Sequence, residues 1–395
     1  MLKTNVLLDT NVPRSSKNFL LQDRNLSSIA ALYKSKQEET EETETEASAD
    51  ALAHEFLLYA CTTPNVGALT ASSGWYPPGT EKEDVAEDAN DSGIDLGLDS
   101  LEWYNRCNGR VSVRNTTLAN FIQVLRPYAD LRQQKLLLAI FKAAPELVAD
   151  YFFKKTNFAF DPKLTATWIG YSSFLFSTVQ LPVPEYLGSK DGFRDVPPPV
   201  SVVIESTIPL PLDQKSLTRG LNAKEDLITF FTVRLTIIAF QKLQQVLKVF
   251  KDATSARPVL WEQASSRLVD EFCRRCPRMK DVIVAFRRTA EDKAMEREAI
   301  TRLLSLYYEV TPQVALNENF DIAVPLSNAL LLAEKTEEGD ADAQMRRLEL
   351  SHLVQIAQHS PNMQWWKKPG KYHHPDAQRN DIPVSGLVIE NEHYT

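Results

Sequence analysis

The chain has 395 residues, of which 43% are hydrophobic, and only 13 glycines, about half the usual share of roughly 7%. That composition supplies a sizeable core, for one extended repeat domain or two to three compact ones, and favours helices over glycine-turned sheets. The net charge of -8 excludes a chain that coats nucleic acid with its whole surface, so any contact of that kind has to be a local patch.

Cysteines at positions 61, 107, 273 and 276 are too few and too scattered for a secreted disulfide framework, and they predict a reducing compartment. Met1 to Thr10 lacks the basic flank, apolar run and small-residue cleavage site of a signal peptide, so export is not expected. The most apolar stretch, Leu227 to Phe240, is interrupted by Arg234 and falls short of the ~20 residues of a membrane span. A buried helix is expected there.

Residues 1–50 form a first segment in which Leu20, Leu21, Leu26, Ile29, Ala30 and Leu32 predict one or two short helices, ending in a self-repelling acidic run from Glu38 to Glu46. Residues 51–360 read as a helical-repeat domain, and within it Gly79 to Ser100 is acidic and poor in aromatics, as a disordered insertion would be. Ala51 to Cys61 is apolar and helical, stopping before Pro64. Leu118, Phe121, Ile122 and Leu125 then mark a helix that Thr116 or Thr117 would cap and that ends near Pro127. The next helix runs from Leu131 to Ala144, and Pro145 opens a third carrying Leu147, Val148, Tyr151 and Phe152. Another covers Leu164 to Gln180, closed by Pro182 and Pro184.

After Pro197, Pro198 and Pro199, the β-branched residues Val200, Val202, Val203 and Ile204 predict a short strand or an extended crossover. Lys224 to Phe250 reads as the long central helix, its polar residues thinning where neighbours would cover it. Further helices are predicted at Pro258 to Cys276, Met279 to Arg288, Asp292 to Tyr308, Val324 to Glu334 and Ala341 to His359. Residues 361–395 form an irregular tail. About ten helices joined by short prolyl junctions predict an all-α, irregular HEAT/armadillo-like solenoid, although no clean repeat is visible in the sequence.

The chain carries no GxGxxG or GxxxxGK[ST] loop, and the GxxxG at Gly93 to Gly97 lacks the lysine that a phosphate cradle uses. His54, His352, His359, His373, His374 and His393 sit beside no Ser or Cys nucleophile in any local signature. The CxxC at Cys273 and Cys276 has no second ligand pair at zinc spacing, and His373, His374 and Asp376 lie in the Pro-rich tail; buried thiols and solvated imidazoles account for both. The reading is of a chain that is no enzyme, with neither catalytic residues nor a metal or other cofactor.

One charge feature stands out. Arg274, Arg275, Arg278, Lys280, Arg287 and Arg288 face a single acid, Asp281, between positions 273 and 288, which is a phosphate-neutralising patch or a solvated helix surface. Lys154, Lys155 and Lys163 form a weaker second cluster. Trp75, Tyr76, Trp365 and Trp366 are candidate partner anchors, with plain packing as the competing role.

The block from Asn115 to Pro184, with its runs APELVADYF and DPKLTATWIGYSSFL, resembles the N-terminal domain of the nucleolar pre-ribosomal-associated protein 1 family. FLLYACTTPN from Phe56, IPLPLDQKSLTRGL from Ile208 and LLSLYYEVTPQVALNENFDIAVPLSNALL from Leu303 are similar to the same family. The resemblance implies a nucleolar, non-catalytic scaffold in early assembly of the large ribosomal subunit, partnered by assembly factors and pre-ribosomal RNA, with no membrane and no small-molecule substrate. It also implies that the chain is the amino-terminal part of a longer protein. The competing expectation is a helical-repeat protein–protein adaptor of another intracellular pathway, without RNA contact.

Overall fold

A computed structural model describes residues 7–9, 11–34, 48–70, 73–78, 112–155, 160–253, 258–318, 320–336 and 342–360. The acidic run, the insertion at 79–100 and the tail at 361–395, with Cys107, Trp365, Trp366 and the last three histidines, lie outside these residues. Among the described residues every regular element is helical. In chain order these are α1 (Arg14–Leu20), α2 (Asp23–Ala30), α3 (Ala49–Thr62), α4 (Thr116–Phe121), α5 (Leu131–Ala143), α6 (Glu146–Lys154), α7 (Ala166–Val179) and α8 (Val200–Thr207). They continue as α9 (Gln214–Leu221), α10 (Asp226–Asp252), α11 (Pro258–Arg275), α12 (Met279–Arg288), α13 (Ala294–Val310), α14 (Pro312–Leu316), α15 (Ala323–Lys335) and α16 (Ala343–His359).

Local chemistry sets several boundaries. Asp130 caps α5 by accepting from the Arg132 amide at 2.8 Å, and Thr165 caps α7 by accepting from Trp168 at 3.2 Å. At α4 the expected threonine cap is replaced. Asn115 holds the N-cap position, but its side chain accepts from Thr70 and donates to Glu146 at 2.9 Å. The buried Glu146 carboxylate also accepts from the amides of Arg114 and Asn115, so one acid of α6 fastens the entrance to α4. Beyond Phe121 the coil tightens into a 3-10 turn, Ile122–Val124, before Leu125 turns into the core.

The segment after Pro199 corrects the sequence expectation. Instead of a strand or crossover it is α8, and all its residues except Ser201 are buried against α6, α10 and α11. The reason is hydrogen-bond accounting. Among the described residues no strand stands ready to pair with this segment, and an extended chain buried here would leave its amides and carbonyls unpaired. The helix pairs them internally, with the Pro199 carbonyl accepting from the amides of Val202 and Val203, and that outweighs a β-branched propensity cost of a few tenths of a kcal/mol per residue.

Helix α10 is the hub, packed on α7, α8, α9, α11 and α13, with most of its middle buried. Phe240 at its centre meets Phe272 of α11 at 4.8 Å and Tyr307 of α13 at 4.6 Å between ring centroids. The Tyr307 hydroxyl donates to the Pro277 carbonyl at 2.5 Å, which fixes the turn leading into α12. Helices α1 and α2 are continuous with this body, since Leu21 and Leu26 join the same core as Phe56, Leu57 and Ala60 of α3.

Three polar or close approaches inside the body carry measurable weight. The Glu205 carboxylate of α8, fully buried, accepts from Arg275 Nη2 at 2.7 Å and from the Leu210 amide at 2.8 Å, while Arg275 Nη1 donates to the Ile208 carbonyl at 2.7 Å. Burial pushes the Glu205 carboxyl up, and the guanidinium opposes it. Gly220 lies where α9 meets α10 so closely that a Cβ would sit 2.3 Å from Thr232 Oγ1. Lys242 of α10 is buried with its ammonium donating to the Leu181 carbonyl, and burial pulls its pKa down to about 8.

Replacing Arg275 by Met is expected to cost roughly 3–5 kcal/mol in urea unfolding, because it strands the Glu205 carboxylate, and adding Glu205→Gln is expected to recover part of that loss. Gly220→Ala, which in an open helix stabilises by about 1 kcal/mol, is expected here to lower the melting temperature. Between pH 8 and 10.5 the unfolded chain retains the Lys242 proton that the folded chain has lost, so stability attributable to this residue rises with pH. Unfolding titrations of wild type against Lys242→Met are expected to show the wild type gaining over that interval; a pH-independent difference would mean that the ammonium is solvated.

Candidate nucleic-acid interface

The basic run from 274 to 288 does not emerge as one patch. Arg275 is the buried ion-pair partner of Glu205 and is not available at the surface. Arg274 is exposed on the last turn of α11 and pairs with Glu271 at 2.5 Å. Arg278 pairs with Asp281 at 3.3 Å across the entrance to α12. Lys280 and Arg287 are exposed seven residues apart, on the same outward stripe of α12 as Val284 and opposite the buried Met279, Val282, Ile283 and Phe286. Arg288 reaches the end of α9, donating to the Leu221 carbonyl.

That last bond reveals cations that the charge run does not contain. The Gln214 side chain at the start of α9 donates to the Cys276 carbonyl at 3.1 Å, and Arg288 at the end of α12 meets the end of α9. Helices α9 and α12 therefore lie side by side, running the same way. The exposed face of α9 carries Lys215 and Arg219 at i, i+4, opposite the buried Leu217, Gly220 and Leu221. Arg219 shares Asp161 with Lys163, at 3.5 and 3.1 Å. The result is a strip running from Lys163 across α9 to α12, in which seven cations outnumber Asp161, Asp213 and Asp281. Its ion pairs are solvent-exposed and weakly held, so phosphates compete for them readily.

Lys154 and Lys155 serve other purposes. Lys154 pairs with the buried Asp150 at 2.8 Å, and Lys155 donates to the Gln123 carbonyl at 2.7 Å, its ammonium pulled down by burial and by Arg126. Trp75 and Tyr76 are both buried. The Trp75 amide donates to the Leu187 carbonyl at 2.9 Å, the Tyr76 hydroxyl donates to Val196 at 2.9 Å, and Arg194 lies over the Tyr76 ring at 4.3 Å. These two aromatics pack one loop onto another and present nothing to a partner.

The thiols of the described residues are held protonated. Burial pushes Cys61 up to about 12 and Cys273 up to about 11, and Cys276, just beyond the end of α11, rises well above the ordinary thiol range. Among the described residues no group of three or more His, Cys, Asp or Glu side chains is arranged to hold a metal. No described helix is long and apolar enough to cross a membrane.

A cleft of about 390 Å³ opens where the strip ends, between the α9–α10 and α12–α13 connections. Arg288 lines it together with Asn222, Lys224, Asp226, Lys293 and Glu296, above the apolar side chains of Phe230, Val233 and Ile300.

A family model described as Ribosome 60S biogenesis N-terminal matches residues 1–171. The chain is also 26% identical over 251 residues to "Nucleolar pre-ribosomal-associated protein 1" of Saccharomyces cerevisiae (strain ATCC 204508 / S288c), a match covering 62% of this chain and 13% of that relative. The chain thus spans a small fraction of that relative's length. No solved structure matches it. The helices α1 to α6 and the first part of α7 fall within the matched residues, whereas the α9–α12 strip lies beyond them. Residues 1–171 of this chain are thus similar to the N-terminal domain described by the Ribosome 60S biogenesis family model.

Proposed function

We propose that the chain is a non-catalytic helical scaffold in early assembly of the large ribosomal subunit, acting in the nucleolus, where it holds assembly factors and contacts pre-ribosomal RNA through the α9–α12 strip. The family domain and the name of the yeast relative support the pathway and the compartment. The observation that carries the RNA contact is the parallel pairing of α9 and α12, which brings side by side the helix bearing the exposed Lys215 and Arg219 and the helix bearing the exposed Lys280 and Arg287, in a chain whose net charge is -8. Phosphate affinity follows local cation density and the release of condensed counterions, so an acidic chain binds RNA where such a strip exists and repels it elsewhere.

A stacked architecture fits the same role. Packing recurs between helices three apart, α8 with α11, α9 with α12, α10 with α13 and α13 with α16, which supports a reading as stacked three-helix layers. Layers of that kind offer a long surface on which RNA segments and protein partners are held in register.

Changing Lys215, Arg219, Lys280 and Arg287 together to Glu is expected to abolish crosslinking to large-subunit precursor RNA in cells, with the melting temperature unchanged because none of the four enters the core. In vitro, the plot of log affinity against log salt is expected to become shallower by roughly 0.7–0.9 for each phosphate that the variant no longer neutralises. Crosslinks that persist in the variant would remove the strip from the proposal. Crosslinks absent even from the wild type would leave a protein-binding adaptor.

A further inference from the structure

The cleft at the end of the strip combines features that a flat phosphate-binding face does not need. Its inner wall is apolar, with Val233 and Ile300 buried and the half-buried Phe230 ring lining the space beside them. Its rim carries both signs of charge: Arg288 and Lys293 supply donors, and Glu296 supplies a carboxylate acceptor. The rim's cations, Lys224, Arg288 and Lys293, exceed its acids, Asp226 and Glu296, by one; with Lys293 paired to Asp226 and Arg288 tied to the Leu221 carbonyl, the rim is a weak seat for a phosphate group alone. A flat, neutral heterocycle with donors and acceptors on its edge suits it better. Its volume of about 390 Å³ lies within the range of roughly 300–1,000 Å³ typical of pockets that enclose a small organic ligand.

Arg288 belongs to both features, bonded to the end of α9 on the strip and lining the cleft. A strand whose phosphates follow Arg287 and Arg288 therefore passes the mouth of the cleft. We infer that the cleft receives a single unpaired nucleobase from the RNA held on the strip, with Phe230 as the stacking platform and Glu296 and Arg288 meeting the base edge; this rests on the RNA-scaffold reading above. Base–aromatic stacking is sequence-tolerant, whereas a carboxylate beside the ring favours bases with an exocyclic amino group. The strip then recognises charge, and the cleft recognises an interruption in a stem.

The test compares the full chain's affinity for two hairpin RNAs, one fully paired and one with a single unpaired 2-aminopurine in the stem, with adenosine monophosphate as a third probe. Wild-type protein is expected to bind the interrupted hairpin roughly fivefold or more tightly and to change the 2-aminopurine emission. Phe230→Ala is expected to erase that preference while keeping the affinity for the paired hairpin, and Phe230→Leu, which preserves apolar volume and hence folding, is expected to erase it too. Equal affinity for the two hairpins with unchanged emission overturns the base pocket but leaves the strip standing. Failure to bind either hairpin overturns the RNA reading itself. Adenosine monophosphate binding as tightly as the interrupted hairpin overturns the strand-linked form of the inference in favour of a free-nucleotide site.

Discussion

The buried pair of Arg275 and Glu205 is the constraint on which the C-terminal half of the described body hangs. Taking both charges out of water costs several kcal/mol per ion before their attraction is counted, and the geometry repays this only because both ions make further hydrogen bonds. Glu205 also accepts the Leu210 amide, and Arg275 also donates to the Ile208 carbonyl. One guanidinium thus fixes the end of α8, the turn toward α9 and the last residue of α11 at a single point. Two residues later Pro277 receives the Tyr307 hydroxyl, and α12 starts from a turn held on both sides. The direction of the basic strip is a consequence of this junction, since α9 and α12 leave from opposite sides of it and run together.

Much of the body was legible in the sequence because amphipathic spacing and proline placement are local signals. Met279–Arg288 and the long central helix follow directly from them, and Pro145 stands at the N-cap of α6. What failed was local inference where a tertiary demand prevails. Val200 to Ile204 have the side chains of a strand, but buried backbone with no neighbouring strand has to hydrogen-bond to itself, and it coils. Asn115 displaced the expected threonine cap because a carboxylate thirty-one residues later supplies the acceptor. The short helix α9 was not predicted from the sequence, its eight residues being too few for a periodicity to register.

The candidate interface was half legible for a related reason. A run of cations in sequence wraps around a helix, and two of its six members turn toward a buried partner or a neighbouring helix end. Arg275 went inward and Arg288 turned to a neighbouring helix terminus, where a cation favourably meets the negative end of the α9 dipole. The replacements, Lys215 and Arg219, come from a segment some sixty residues away, and only the parallel packing of α9 on α12 brings them alongside. The useful signal is the i, i+4 pair of cations opposite Leu217 and Leu221, a pattern of faces that does not show in the density of charge along the chain.

On the proposed reading, an acidic chain with a basic strip binds RNA in a definite orientation. Screening at physiological ionic strength limits each charge to about 8 Å, so the excess of acids elsewhere does not cancel the strip but does repel RNA that approaches from another side. Exposed pairs such as Arg219 with Asp161 and Arg278 with Asp281 hold the cations in place in the absence of RNA and yield them at small cost, since each is worth at most about 1 kcal/mol in water. Arg288 differs in being tied to backbone carbonyl rather than to a carboxylate, so its position is kept whether or not phosphate is present. The strip thereby combines adjustable cations along its length with a fixed one where it meets the cleft, and the geometry at that end is set by the fold before any strand arrives.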